Sequence, residues 1–485
     1  MPIDRRADAL LDDLRRLAGD EGISAALVGG AVRDLLLGRE PVDLDLVIDA
    51  PPMPFARRIA RELGGAAVDL DADWGIARVV LKPDRHPHAT PQAPRNTGFV
   101  IDLARRQGDR LEDDLRRRDL TLNALAIPLD GDGAIIDPTG GLDDLHNKRI
   151  RAISLDNLMA DPARPLRVLR FAATLDFEID FETLTWLEIS RRQILAAAPE
   201  RVTPELMRIL ALPNASRWVD RLFGLGIWNL LLPELTPLAK VPPNLDNHLD
   251  ALAHSLETVR QLDTLLATLP RWAKPHEAPI RAWLDERSAH APNLKAILTL
   301  GALIHDTGKH FRGVLGAFGE PDYTGHEQEG ANLAATIAER FRLSVKERDH
   351  LTRLVGLHLR PLDVIRSGFD PVAIYHLFQD AGDSTPALLL LALADRRASR
   401  GPAVSDAEIE AITEGILVLM RSYWRKDARF TAPPRLLSGA DLKQLGLPPG
   451  PAYARILLAI TEAQVRGDVT DHDDAIALAR KLAFS

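Results

Sequence analysis

The run Val42-Asp43-Leu44-Asp45-Leu46-Val47-Ile48 sets two carboxylates two residues apart among β-forming neighbours. Side chains alternate across a strand, so Asp43 and Asp45 are expected to share one face while Val42, Leu44, Leu46 and Ile48 point into a core. Two carboxylates on one face repel each other unless a cation sits between them. Oxygen ligands beside a phosphate substrate suit Mg²⁺, and such a centre can hold the attacking and leaving oxygens of a phosphoryl transfer. Just upstream, Ala26-Leu27-Val28-Gly29-Gly30 reads as a short apolar strand entering a helix that begins near Ala31. Glycines at such a turn let the backbone approach a ligand, and the helix start offers unpaired N–H groups to an anion. Arg33 falls in the first turn, within reach of a phosphate, and Gly38 suits the helix stop. Taken singly, an Asp-x-Asp is a solvated pair and a Gly-Gly is a turn. The order strand, Gly-Gly, helix, strand, Asp-x-Asp is far more specific.

A second set of chemistry-bearing residues lies in the other half: His254, His305-Asp306, His326, His358 and Asp395. His254 opens a helical run, His305-Asp306 closes one, and Asp395 follows the apolar run Leu388–Ala394. Imidazole and carboxylate together suit a transition metal such as Ni²⁺, Co²⁺ or Mn²⁺ better than Mg²⁺. A metal there lowers the pKa of its bound water and supplies hydroxide for phosphoester hydrolysis. One buried histidine is ordinarily a satisfied core residue, but a spaced series is not. His248 and His350 are read as bystanders.

The elements that must position these groups differ between the two halves. Ala25–Val28, Leu44–Ile48, Ala77–Leu81, Phe99–Leu103 and Ala134–Ile136 read as strands, and Val32–Leu37 and Pro54–Leu63 as helices. The Pro-, His- and Thr-rich Pro83–Gly98 reads as a loop. Beyond residue 151 the periodicity is helical, as in Leu166–Leu175, Glu182–Ala197 and Pro204–Leu212. Pro237–Asn247 reads as a linker, and Thr431-Ala432-Pro433-Pro434 as a break before a helical tail. The expected fold class is therefore α+β: a mixed sheet with helices in residues 1–150, then helical segments over 151–240, 241–425 and 426–485.

Composition narrows the setting. No stretch of the 485 residues approaches the ~18 uncharged apolar residues of a membrane span. The absence of cysteine excludes disulfides, thiolate metal sites and cysteine nucleophiles, and fits a cytoplasmic location. A net charge of −9 runs against a nucleic-acid partner. Yet a phosphate feels only charges within about a Debye length of ~8 Å. The first half is locally rich in arginine at Arg105-Arg106, Arg116–Arg118, Arg164, Arg167 and Arg170. Arg191-Arg192 reads as a solvated helix face.

The pattern Gly29-Gly30-x-Val32-Arg33-Asp34-x-Leu36-Leu37-Gly38…Asp43-x-Asp45 resembles the nucleotidyltransferase superfamily typified by DNA polymerase beta. More narrowly, it is similar to the bacterial tRNA CCA-adding enzyme and poly(A) polymerase family, the class II tRNA nucleotidyltransferases. Three further segments follow in that family's order. Leu111–Ala126 (LEDDLRRRDLTLNALA) implies a nucleotide-binding Arg118; Ile136–Leu145 (IDPTGGLDDL) implies a structural turn. Asp161–Phe171 (DPARPLRVLRF) implies that Asp161 and Arg164 read the base edge. Acceptor and donor together can discriminate bases, and Arg164, Arg167 and Arg170 share a helix face that would attract a triphosphate. The plainer reading makes Asp161 an N-cap with Pro162 at the first helical position. Ala160 and Pro165 depart from the family pattern; Pro165 disfavours a helical Arg164. Asp102 is a candidate third carboxylate, with a strand-end turn residue as the plainer reading. Pro199-Glu200-Arg201 with Glu205 resembles a structural Arg–Glu network at the end of the family's neck.

The second set resembles the HD phosphohydrolase family, which implies metal ligation by His254, His305, Asp306, His326, His358 and Asp395 and a phosphatase or 2′,3′-cyclic phosphodiesterase activity. The tail motif from Leu437 to Gly450 also resembles one that follows the HD unit in the CCA-adding family, which implies an RNA-facing or packing role. Together the resemblances imply Mg²⁺ on Asp43 and Asp45, with CTP and ATP held by Gly30, Arg33 and Arg118. They imply a tRNA partner bound at its 3′ end and acceptor/T arm, CCA as the product and no membrane. Poly(A) addition, addition of A alone or C alone, and an HD phosphohydrolase with an RNA-binding head remain alternatives. A non-enzymatic RNA-binding protein leaves both constellations idle. Oligomeric state is left open.

Overall fold

The structure is a computed structural model that describes residues 5–71, 75–82, 99–131, 133–288, 291–312, 314–315 and 321–483. The expected loop Pro83–Gly98 lies outside the described residues. The chain divides into two compact units, Met1–Ala197 and Ala198–Ser485.

In the first unit, β1 (Ala25–Val28), β2 (Asp43–Ile48), β3 (Gly65–Asp71), β4 (Ile76–Leu81), β5 (Val100–Arg105) and β6 (Ala126–Pro128) form one sheet in the order β3-β4-β5-β2-β1-β6. It is a mixed sheet, with β2 and β5 parallel and the other pairings antiparallel. Helices α1 (Arg5–Glu21) and α3 (Pro52–Leu63) contribute Leu14, Leu17, Phe55 and Ile59 to a core shared with Leu27, Leu44, Leu46, Ile48, Leu81 and Ile101. Each such side chain, fully withdrawn from water, contributes roughly 1.5–3 kcal/mol. That burial fixes the register of β2: slipping by one residue would drive Asp43 and Asp45 into the core. The opposite face carries a smaller cluster of Ala26, Val28, Val47, Leu115, Ala124 and Ala126.

Several sequence expectations need correction. Val42 lies outside β2 and is exposed, because the strand begins one residue later. Ala134–Ile136 is not a strand; Ile136 makes one isolated bridge to Ala126, and the sixth strand is β6 instead. Asp161 is not the N-cap and Pro162 is not helical. The helix Arg164–Leu175 starts after Ala163, and Pro165 falls in its first turn, where no intrahelical donor is needed. Arg164 is therefore helical despite the proline that follows it. Helix α1 and strand β3 were not foreseen; β3 is largely exposed, which deprives it of an apolar alternation.

Among the described residues, the second unit is helical apart from one two-residue strand pair. Its helices begin at side-chain caps that the sequence supplies. Asp250 accepts from Ala253 N (2.9 Å) before Ala251–Ala267, and Ser344 and Glu347 form a reciprocal capping box before Val345–Leu357. Leu294–Ile304 and Thr385–Ala398 are buried along almost their whole length. The Pro-rich segment 237–247 lies inside this unit, partly in the 3₁₀ turn Pro233–Lys240. Residues 437–483 carry a core of their own, with Leu437, Leu442, Ile456, Ile460 and Ala475. Ser438 caps Gly439–Gln444, so the Leu437–Gly450 motif has a local packing role. Among the described residues, no helix is long and apolar enough to cross a membrane.

Candidate functional site

The Gly-Gly turn joins β1 to the helix α2 (Gly30–Leu36) at a backbone angle open to glycine alone: Gly29 has φ 70° and ψ −131°. A Cβ on Gly29 would stand 2.8 Å from Arg118 Nη1 and 3.5 Å from Asp45 Oδ2. Bare backbone, a guanidinium and a carboxylate therefore meet at one point. Cross-strand register adds a third acid, because Asp102 on β5 pairs with Asp45 on β2. Asp43, Asp45 and Asp102 thus share the sheet face that the core does not use.

These acids are under mutual strain. Burial, and then the charge of Asp43, push the Asp45 carboxyl up to about 6, against the pull of Arg118 and Arg167. Asp43 is also raised, first by partial desolvation and then by Asp102, while Arg78 works the other way. Two raised carboxylates on one face fit a divalent metal, whose charge would offset their repulsion.

The arginines expected to hold a nucleotide fall into separate roles. Arg118 faces the acids, with Nη1 donating to Asn123 O (3.4 Å) and Nη2 to Asp114 Oδ2 (3.4 Å). Arg33 is buried and turned inward: Nε donates to Asp34 Oδ1 (2.9 Å) and Nη1 to Asn123 Oδ1 (2.8 Å). Arg167 Nε donates to Asp119 Oδ2 at 2.9 Å. Burial pushes the Asp119 carboxyl up, but Arg167 outweighs it and the net shift is downward. Arg170 stacks 3.5 Å over the Phe171 ring, whose flank also meets Arg33 at 4.9 Å and Arg167 at 5.7 Å. The three helical arginines thus go to three different partners. Arg164 Nη1 donates to Asn157 O (2.6 Å) and Arg117 O (3.2 Å), while Asn157 Nδ2 donates to Arg116 O and Arg118 O. One asparagine therefore ties the Arg164 helix to the Arg118 loop. Asp161 accepts from Ala163 N at 3.0 Å, in the turn that leads into that helix.

Sequence reasoning missed Asn123, Phe171 and Arg78. Asn123 and Arg78 act through partners distant in the chain, and Phe171 joins the distant Arg33 to Arg167 and Arg170 of its own helix. The segment Ile136–Leu145 is the structural turn expected. Asp137 accepts from Gly141 N and Leu142 N, and the fully buried Asp144 accepts from Thr121 Oγ1 (2.7 Å) and Arg151 Nε (2.8 Å).

In the second unit the spaced series converges. His254 Nε2 lies 2.8 Å from Asp395 Oδ1, His305 Nε2 3.5 Å from Asp306 Oδ2, and His326 Nε2 3.3 Å from Asp306 Oδ1 and from His358 Nε2. All six residues are buried. Three rings engage backbone carbonyls through Nδ1: His305 with Ala302 O (2.9 Å), His326 with Tyr323 O (3.0 Å) and His358 with Val355 O (2.7 Å). Each Nε2 is thereby turned inward, the arrangement that metal-ligating histidines adopt. His305 Nε2 is buried without a hydrogen-bond partner, which a metal would supply. Burial holds His305 below its usual range and His358 down to about 3, so these rings are neutral and available as ligands. Gly308 is required by contact, since a Cβ there would lie 1.9 Å from His326 O. The centre opens on a cavity of about 380 Å³ whose wall includes Asn244, Lys309, Arg366 and Arg396. His350 binds Ser384 Oγ (2.7 Å) and His248 is exposed, both away from the cluster.

In the second unit, Glu205 pairs with Arg208 (3.8 Å) and Glu200 with Arg342 (3.9 Å).

Residues 25–151 match the family model described as the poly A polymerase head domain. Residues 176–238 match the model described as "Probable RNA and SrmB- binding site of polymerase A". The chain is 33% identical to an A-adding tRNA nucleotidyltransferase of Deinococcus radiodurans, over 95% of each chain. It is 33% identical to a CC-adding tRNA nucleotidyltransferase of Thermus thermophilus, over 93% of this chain and 92% of the relative. In fold it is similar to the Thermotoga maritima CCA-adding enzyme complexed with tRNA, with a TM-score of 0.62 at 20% identity over 99% of this chain and 96% of the other.

Proposed function

The chain belongs to the tRNA nucleotidyltransferase family, and on that premise we propose that it builds the 3′ CCA end of tRNA from CTP and ATP in the cytoplasm. The observation that carries this reading is the face formed by Asp43, Asp45 and Asp102 beside the Gly29 turn and Arg118. In the reaction the RNA 3′-hydroxyl oxygen attacks the α-phosphorus of the nucleotide. The bond from that phosphorus to the bridging oxygen breaks, and pyrophosphate leaves in line. Asp43 and Asp45 would hold Mg²⁺, which would supply Lewis-acid stabilisation of the charge that develops during transfer. The Gly29-Gly30 backbone and Arg118 take the triphosphate, since the Arg118 guanidinium stands at the Gly29 turn beside Asp45. Arg33, Arg167 and Arg170 support that surface through Asn123, Asp119 and Phe171. Asp161 and Arg164 choose the base. The carbonyls of Arg117 and Asn157 steady the aim of Arg164.

A second reading has its own support: relatives matched along nearly the whole chain include an A-adding and a CC-adding tRNA nucleotidyltransferase. Primer extension separates the readings. The chain is given Mg²⁺ and tRNA transcripts ending before CCA, after C or after CC, with CTP, ATP or both. Growth by CCA and then arrest supports the lead reading. Addition of A alone, or of C alone, supports the divided one. Long A tails on any RNA make the chain a poly(A) polymerase, and no extension refutes the assignment.

The cluster in the second unit supports a further activity, metal-dependent phosphoester hydrolysis. His254, His305, Asp306, His326, His358 and Asp395 would hold a transition metal, which would supply a hydroxide nucleophile. Lys309 Nζ donates to Asp306 Oδ2 at 2.6 Å and fixes that carboxylate. Hydrolysis of a 2′,3′-cyclic nucleotide with Ni²⁺, Co²⁺ or Mn²⁺ tests it.

A further inference from the structure

We propose that Arg78 is a positioning residue that clamps Asp102 and competes with the divalent cation for it, so that metal binding at the acidic face proceeds by displacement of a guanidinium. The inference rests on the reading of Asp43 and Asp45 as the metal-holding pair. Its basis is a row of three side chains across three adjacent strands. Arg78 on β4 pairs in register with Asp102 on β5, and Asp102 with Asp45 on β2. Arg78 Nε donates to Asp102 Oδ1 and Nη2 to Oδ2, both at 2.7 Å. The fork occupies both oxygens of the acid that stands opposite Asp45.

The guanidinium stays charged at any accessible pH, so proton loss cannot open this clamp. A competing cation can. The pair is only partly withdrawn from water, with 41% of the Arg78 side chain and 23% of the Asp102 side chain exposed. An ion pair so placed is exchangeable rather than permanent. Arg78 also acts on the neighbouring acids, for its charge offsets part of the rise at Asp43. The arrangement keeps one of three carboxylates in reserve, neutralised while no metal is bound and released as a ligand when one arrives.

The test is a titration of the full-length chain with Mn²⁺, reading free Mn²⁺ by electron paramagnetic resonance. Wild type is compared with Asp43→Asn, Arg78→Met, Asp102→Asn and the Arg78→Met/Asp102→Asn double variant. The class of Mn²⁺ lost in Asp43→Asn belongs to the head, which separates it from any Mn²⁺ in the second unit. If no class is lost, the metal-pair reading itself falls, and the inference with it. Arg78→Met is expected to tighten the head class about three- to tenfold, because a carboxylate is freed and a competing charge removed. That gain is expected to vanish in the Asp102→Asn background. Unchanged or weaker binding in Arg78→Met overturns the proposal while leaving the pair intact. A gain that persists in full beside Asp102→Asn also overturns it, since Arg78 would then act on Asp43 and Asp45 by charge alone. Arg78→Lys keeps the charge and gives up the fork, and serves if Arg78→Met does not fold; a smaller gain, again dependent on Asp102, is expected from it.

Discussion

Asn123 accepts a hydrogen bond from Arg33 Nη1 at 2.8 Å and donates one to Asp119 Oδ1 at 3.2 Å, so a single buried amide joins the Gly-Gly helix to the Asp119–Arg167 pair. The amide offers an acceptor to the guanidinium and a donor to the carboxylate at once. Asn123→Ala removes a hydrogen bond from Arg33 and another from Asp119 in a buried site, which costs about 1–3 kcal/mol. Urea denaturation is expected to show that loss. Steady-state transfer is expected to show a raised nucleotide KM, because Arg33 and Arg167 both flank the Phe171 ring. Unchanged stability would remove Asn123 from the role assigned to it.

Gly29 holds a conformation that side chains resist, at the point where Arg118 and Asp45 approach the backbone. A methyl group there meets Arg118 Nη1 at 2.8 Å, so the guanidinium must move as the backbone strains. Gly29→Ala is expected to cost about 1–3 kcal/mol and to lower transfer by at least tenfold, since a misplacement of about 1 Å costs that much or more. Thermal unfolding and single-turnover extension measure the two effects separately.

How legible this site was depended on how local its parts are. Asp43 and Asp45 share a strand, so period-two alternation placed them on one face, and apolar Leu44, Leu46 and Ile48 confirmed which face is core. Gly29 was legible because a strand-to-helix turn has few solutions. Asp102 was visible only as a strand-end acid; its place opposite Asp45 depends on parallel pairing of β2 with β5, which no local pattern encodes. Asn123 and Arg78 were not legible, since Arg33 and Asp102 stand 90 and 24 residues away from them, and Phe171 was not, since its link to the distant Arg33 is made only in the fold. The shared face of Arg164, Arg167 and Arg170 was right for the helix, but neighbouring segments draw Arg164 and Arg167 to separate partners, while Arg170 lies over Phe171 of its own helix. The second cluster was legible because its six residues retain an order that helices bring together, although their distances were not.

The raised Asp45 carboxyl gives a pH dependence with a definite sign. Its folded value of about 6 exceeds its ordinary value of 3.8, so the metal-free folded chain holds that proton more tightly than the unfolded chain. Stability is therefore lost as pH rises from about 4 to 6 and stays lost above that window. Asp45→Asn removes the repulsion. In EDTA at pH 7.5 it is expected to be about 1–2 kcal/mol more stable than wild type, with the difference shrinking toward pH 4. The same variant is expected to abolish transfer. Mg²⁺ is expected to raise the melting temperature of wild type at pH 7.5, through differential binding to the folded state, and much less at pH 5, where protons compete for the acid. Calorimetry across pH, with and without Mg²⁺, checks each of these outcomes.

The second centre should behave in the opposite way. Burial holds His358 down to about 3 and His305 below its usual range, while the histidines around Asp395 outweigh its burial and lower its carboxyl. The His358 ring and the Asp306 and Asp395 carboxylates are thus already in their metal-binding protonation states at pH 5, where Asp45 is mostly protonated. A transition metal in the second unit is expected to survive dialysis at pH 5, while Mn²⁺ at the acidic face is lost. His305→Ala removes the Nε2 that has no hydrogen-bond partner of its own. It is expected to lower metal content, measured by elemental analysis, and to abolish hydrolysis of a cyclic nucleotide. Transfer to tRNA should be retained, because Asp43, Asp45 and Arg118 all lie in the first unit. Loss of transfer together with hydrolysis would show that the two activities share one centre, and would refute their assignment to separate units.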